Sequence, residues 1–289
     1  MICRLCPRQC GAERTAQAGP GRCRMPAGLR VARAGLHHWE EPVISGSRGS
    51  GAVFFSGCSL GCVYCQNGRI SHGGFGKEIT TQRLREIFEE LIAQGAHNIN
   101  LVSGDHFLPW ILPALEPRLP VPVVWNCSGY QSQETLDMLR GKVDIYLPDL
   151  KYTDAALAGT LSDAPDYFPV AARAIREMFD QVGPCVLSDG LLQKGVVIRH
   201  LLLPGCLDNT KRCIDYVAEN FAPGQVLFSL MSQYTPQPGA QGQLARRVRR
   251  GEYRAAMNYA QDCGITQGFF QEPDSAQSEY TPDFNLTGV

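Results

Sequence analysis

From Ala52 onward the chain alternates between two hydrophobic rhythms. Short apolar runs bounded by Gly, Pro, Asn and Asp read as strands: residues 52–56 (AVFFS), 98–102, 121–126 (VPVVWN), 143–147 (VDIYL), 195–203 (GVVIRHLLL), 226–231 (VLFSLM) and a last short run, TQGFF. Between them lie stretches with a helical period. Leu84, Ile87, Phe88, Leu91 and Ile92 fall on one face, with Thr80 or Thr81 as cap and Gly95 at the end. Ser132 caps the next helix and Gly141 closes it. Thr153 is expected to cap a short helix, and longer ones are expected at 169–182, near 208–221 and near 243–262. Alternating strands and helices imply a parallel sheet with crossover helices. About six such units fit a partial (β/α)6 barrel better than a complete eight-fold one. The fold class is therefore α/β, with functional loops at the C-terminal ends of the strands.

Residues 1–48 show no sustained period and are rich in Arg, Gly, Pro and Cys. They read as a separate segment that folds around a metal or lies on the next domain. The expected organisation is a segment 1–48, a barrel 49–271 and a polar tail 272–289.

Composition sharpens this picture. With 289 residues, 44% hydrophobic and only 19% charged, the chain can bury a core. Its net charge of −1 speaks against an electrostatic nucleic-acid or membrane-surface binder. No signal-peptide core and no run near ~18 apolar residues is present, so a soluble, cytoplasmic protein is expected. The 12 cysteines are the unusual feature. Seven fall into two tight groups, which suits metal or cluster chemistry in a reducing compartment better than a disulfide scaffold.

Cys58, Cys62 and Cys65 have the spacing C-x3-C-x2-C in GCSLGCVYC. Three core cysteines on one helix face would share that spacing, but Gly57, Gly61 and the preceding strand argue against a helix. Three thiolates on a glycine-rich loop can hold three irons of a [4Fe–4S] cube and leave the fourth open to a ligand.

CSLGCVYC, followed by Gln66 and Asn67, resembles the signature of the radical S-adenosylmethionine (SAM) superfamily, and particularly its glycyl-radical-enzyme-activase branch. The stretches HHWEEPVISG, NCSGYQS, DIYLPDLKY, EMFDQVG, IRHLLLPG and LMSQYTP extend the likeness to proteins labelled as pyruvate formate-lyase activating enzymes, but with an added N-terminal cysteine segment. The resemblance implies an enzyme in which the open iron chelates SAM. Reductive cleavage then gives a 5′-deoxyadenosyl radical that abstracts hydrogen from a substrate. It also implies SAM contacts by Tyr64 (adenine), by Ser103, Gly104 and Asp105 (amino group), and by Asn126 and Ser128. Further contacts are implied for Asp149, Lys151 (SAM carboxylate), Arg199 (a ligand carboxylate) and Gln233, while strand alternation points His200 the other way. The implied substrate is a glycine of a partner protein, a peptide or a small metabolite. The implied electron donor is a flavodoxin or ferredoxin. The competing reading is a non-catalytic Fe–S carrier or metal-binding module.

Cys3, Cys6, Cys10 and Cys23 can close a tetrahedral zinc site or bind an Fe–S cluster, and both remain open. Cys127, Cys185, Cys206, Cys213 and Cys263 read as small core hydrophobes. The run Arg246, Arg247, Arg249, Arg250 reads as a solvated helix face or a contact for an acidic donor.

Overall fold

The computed structural model describes residues 2–17, 19–270 and 282–289. Its strands are β1 (Leu29–His37), β2 (Ser50–Phe55), β3 (Lys77–Ile79), β4 (Ile99–Val102), β5 (Val123–Cys127), β6 (Ile145–Pro148), β7 (Val186–Ser188), β8 (Leu191–Leu201), β9 (Leu227–Met231) and β10 (Gly268–Phe270). The helices are α1 (Pro42–Ser45), α2 (Gly68–Ser71), α3 (Thr81–Ala93), α4 (Leu108–Ala114), α5 (Gln133–Leu139), α6 (Ala155–Ser162), α7 (Tyr167–Val182), α8 (Leu207–Asn220) and α9 (Arg250–Asp262). The strands form one sheet in the order β10-β9-β8-β6-β5-β4-β2-β1-β3, with β7 hairpinned onto β8. The six strands β2, β4, β5, β6, β8 and β9 are mutually parallel, which is the expected partial barrel. β10 extends it in parallel at one edge, and β1 and β3 add antiparallel strands at the other.

Strand alternation sorts the core into layers. Outward residues such as Phe55, Leu101, Trp125, Tyr146, Ile198 and Phe228 pack under the helices. Inward residues Val124, Ile145, Leu147, Val197 and Leu227 form an apolar layer with Ile44 of α1. His37 pairs with Ser50, so β1 descends to the N-terminal end of β2 before α1 turns beneath the barrel. Asn98 Nδ2 donates to the Ile44 carbonyl at 2.7 Å and fixes this plug. The plug closes the floor of the barrel.

Residues 29–37 belong to the sheet, so the segment preceding Ala52 is not free of strand structure as its composition suggested. Among the described residues of 2–28 there is one isolated bridge, Ile2 to Glu13, and Arg8 and Arg14 reach the loops that follow β2 and β4. The Ser132 and Thr135 hydroxyls donate to the Leu5 carbonyl. Of the polar tail, residues 282–289 run along β1, with Leu286 N–H donating to Ala32 and Ala34 N–H to Thr287. Phe284 is buried edge-on against Phe54 at 5.6 Å. Residues 272–281 lie outside the described residues.

Thr80 and Ser132 cap α3 and α5 through their hydroxyls. Asp154, not Thr153, caps α6, because the Thr153 N–H is taken by Asn209 Oδ1 at 2.9 Å. The helix expected near 243–262 begins only at Arg250. Arg246 and Arg249 precede it, and Arg246 forks onto Glu252 at 2.7 and 2.8 Å. The arginine run is therefore a helix-start structure and not a helix face. Among the described residues, no helix is long and apolar enough to cross a membrane.

His200 faces away from the barrel interior. Its Nδ1 meets the Leu150 carbonyl at 2.6 Å and its Nε2 the Thr210 hydroxyl at 2.9 Å. Burial lowers its pKa from 6.5 to about 4, so it is neutral in the fold. The unfolded chain protonates first as pH falls. This contribution is therefore full above pH 6.5 and is lost as pH falls toward about 4. Urea unfolding at stepped pH should show His200 removing about 1 kcal/mol between pH 6.5 and 5.5, and a His200→Gln variant should have a correspondingly shallower pH slope.

Candidate active site

β2 ends in a turn that projects Cys58, Cys62 and Cys65. All three line one cavity of about 230 Å³ at the C-terminal ends of the strands. Each sulfur accepts a hydrogen bond from a nearby donor. Leu60 N–H donates to Cys58 Sγ at 3.4 Å, the Ser162 hydroxyl to Cys62 Sγ at 3.0 Å, and the Ser71 hydroxyl to Cys65 Sγ at 3.3 Å. Burial pushes the Cys58 thiol up to about 12 and raises Cys65, so a bare thiolate is costly there. Among the described residues, no three His, Cys, Asp or Glu side chains converge on a single-ion site.

Beyond the thiols, the cavity wall is polar on one side. Arg199 on β8 donates Nε to Asp149 Oδ1 at 3.0 Å, Nη1 to Glu40 Oε2 at 3.1 Å and Nη2 to Asn126 Oδ1 at 2.6 Å. Asn100 and Asn126 both donate to Glu40 Oε1 at 3.1 Å. Lys151 Nζ lies 2.6 Å from Asp149 Oδ2. Burial raises the Glu40 carboxyl while Arg199 opposes it. Burial likewise raises the Asp149 carboxyl, but Arg199 and Lys151 outweigh it and leave the pKa below the usual carboxylate value. Burial works against the Lys151 charge, but Asp149 outweighs it and keeps the ammonium protonated. Glu41, also buried, is driven up by burial, with Arg199 opposing and Glu40 adding to the rise. Glu40, Asp149, Lys151 and Arg199 thus form a half-buried charge cluster at the cavity wall, with Glu41 buried behind it.

The other anticipated residues divide. Tyr64, Ser103, Asn126, Ser128, Asp149, Lys151, Arg199 and Gln233 line the same cavity as the thiols. Gln233 Oε1 is buried there and has no hydrogen-bond partner. Tyr64 is held edge-on between Tyr152 and Tyr234. Its hydroxyl meets Tyr152 at 2.7 Å, and Tyr152 meets Ser162 at 2.7 Å, a hydroxyl chain that ends on Cys62. Gly104 and Asp105 do not line the cavity. Asp105 is buried beside Trp125 and Gln131, and burial raises its pKa to about 6. Burial chiefly raises the Cys6 and Cys127 thiols and the Asp105 charge adds to both, and Cys127 itself lines the cavity. Arg199 lines the cavity and spends three of its five N–H donors on Asp149, Glu40 and Asn126.

Glu40 and Glu41 were not anticipated. The available signal was a pair of adjacent acids before Pro42, next to the apolar VIS of α1. Ser71 and Ser162 were also missed, because neither carries a spacing signal.

The N-terminal thiols form a second group. Cys3 is buried and Cys10 exposed, with Cys6 and Cys23 between these extremes. Cys6 couples electrostatically to Cys3 and Cys23, and Cys23 to Cys3 and Cys10. Of the isolated cysteines, Cys127 and Cys213 are buried, and Cys185, Cys206 and Cys263 are half-buried.

Residues 52–182 match the Radical SAM superfamily model. The chain is 29% identical over 271 residues to an uncharacterized protein of Methanocaldococcus jannaschii, covering 90% of this chain and 74% of that one. The fold is similar to SuiB of Streptococcus suis in its S-adenosylmethionine-bound structure, with a TM-score of 0.51 and 13% identity over 79% of this chain. The match spans about half of SuiB, 52% of its length. Methylornithine synthase is similar at a TM-score of 0.50 and 14% identity, covering 78% of this chain and 73% of the synthase. Residues 52–182 are thus similar to the Radical SAM superfamily, and the solved neighbours share the partial-barrel fold.

Removing the Arg199 charge would leave Glu40 and Asp149 buried without their shared cation. An Arg199→Met variant should lose about 3–5 kcal/mol in urea unfolding, and adding Glu40→Gln to it should restore part of that loss.

Proposed function

We propose that this chain is a radical SAM enzyme, with Cys58, Cys62 and Cys65 binding a [4Fe–4S] cluster and SAM occupying the adjoining cavity. One observation carries the reading: three hydrogen-bonded thiols, within the stretch that matches the Radical SAM superfamily model, line one cavity with a polar wall. The donor set fits the group. A cube spreads its thiolates over separate irons, so convergence on one point is not required. Metal ligation also offsets the cost of deprotonating buried thiols. When bound, the cluster and SAM supply one-electron cleavage that yields a hydrogen-abstracting 5′-deoxyadenosyl radical.

The chain's own residues hold and orient. The Leu60 N–H and the Ser71 and Ser162 hydroxyls support the sulfur charge. Lys151, pinned on one side by Asp149, has further N–H donors for the SAM carboxylate. Gln233 Oε1 offers an unpaired acceptor for an ammonium or hydroxyl. Tyr64, Ser103, Asn126 and Ser128 complete the SAM contacts. Arg199 and Asp149 act as positioning residues behind this lining.

The substrate is a small polar molecule. The apolar plug below the cavity and its polar wall favour that class over an extended peptide loop or a partner-protein glycine. A flavodoxin or ferredoxin in a reducing compartment such as the cytoplasm supplies the electron. Cys3, Cys6, Cys10 and Cys23 hold a second site, zinc or Fe–S.

Anaerobically reconstituted protein tests this reading. With dithionite and SAM it should form 5′-deoxyadenosine, and Cys58→Ala should reduce the yield at least about a hundredfold. Counting iron, sulfide and zinc per chain identifies the second site. Bound iron without SAM binding or cleavage would replace this reading with that of an electron carrier.

A further inference from the structure

Two arginines of the N-terminal cysteine segment reach the loop between Cys58 and Cys62. Arg8, which lies between Cys6 and Cys10, donates Nε to the Ser59 carbonyl at 3.0 Å. Its Nη2 donates to the Leu60 carbonyl at 3.3 Å and to the Ser162 carbonyl at 2.8 Å. Arg22, next to Cys23, donates Nη2 to the same Leu60 and Ser162 carbonyls at 3.1 and 3.3 Å. Its Nη1 meets Asp163 Oδ2 at 3.0 Å. Ser59 and Leu60 are the backbone between two of the thiols, and Ser162 donates to the Cys62 sulfur.

The loop glycines give a second, independent observation. Gly57 and Gly61 have φ of +81° and +67°, and each is packed by the N-terminal segment. A Cβ on Gly57 would overlap Met25 and stand 2.9 Å from the Cys23 carbonyl oxygen. A Cβ on Gly61 would stand 3.4 Å from Arg22 Nε. The segment that makes these contacts has almost no regular structure of its own. Its order therefore depends on its four cysteines and on its contacts with the barrel.

We infer that the N-terminal cysteine segment is a clamp on the Cys58–Cys65 loop, holding that loop through Arg8 and Arg22. The inference rests on the cluster assignment above for its functional meaning, but the mechanical coupling does not require a cluster. Coupling of this kind is reciprocal: what tightens one site tightens the other. Arg8 and Arg22 are positioning residues, because they touch carbonyls of the loop and not the cavity.

The test reads hydrogen–deuterium exchange of peptides covering residues 57–66 in metal-free protein. Arg8→Ala and Arg22→Ala should each speed that exchange about tenfold, with residues 123–127 unchanged as an internal control. Arg8→Lys keeps the charge but loses the fork, so it should behave like the alanine variant. In reduced, SAM-loaded protein, the same variants should hasten decay of the SAM-responsive EPR signal under EDTA. Unaltered exchange in both alanine variants, full rescue by lysine, or equal loosening of 123–127 would each overturn the clamp. A wild-type protein that takes up no cluster would instead defeat the functional reading, and the exchange result would still decide the clamp.

Discussion

The fold depends on burying one guanidinium among carboxylates inside a barrel. Arg199 on β8 reaches Asp149 after β6, Asn126 on β5 and Glu40 from the turn below, so one side chain ties together both walls and the floor. The charged side chains here are only 9–18% exposed, so most of their hydration is replaced by one another. The same requirement curves the sheet. Asn100 on β4 and Arg199 on β8 are separated by two intervening strands, yet both contact Glu40. The polar layer therefore sits on an apolar one and faces the three thiols across a single chamber.

How much of this is legible in the sequence depends on the range of the signal. Helical faces and the hydroxyl caps of α3 and α5 are local, and their spacing reveals them. The cysteine loop is local as well, so its spacing alone groups the three thiols. Arg199 is legible as a charge in an apolar strand, but not its partner: Glu40 lies 159 residues away. Asp105 illustrates the reverse case. Its position at a strand end suggested a ligand contact, but the 3-10 turn after β4 directs the carboxylate into the packing around Trp125 and Gln131. β1 was hidden because its arginines and glycine diluted the alternation of Leu29, Val31 and Leu36.

The hydrogen bonds at the three sulfurs come from different parts of the chain. Leu60 belongs to the loop itself, Ser71 to the helix that follows it, and Ser162 to the end of α6. The sulfur environment is thus set jointly by a local turn and by a helix about a hundred residues away, which in turn touches the N-terminal arginines. A fourth group, the Tyr64–Tyr152 pair, leans on the same Ser162 hydroxyl and links the aromatic wall to the thiol.

The plug beneath the barrel makes hydration of the site one-sided. Ile44, Val124, Ile145, Leu147 and Val197 are fully buried and offer water no side-chain partner. The charged side chains above them are therefore hydrated from the cavity that they line, and whatever fills that cavity takes over the role of solvent for them.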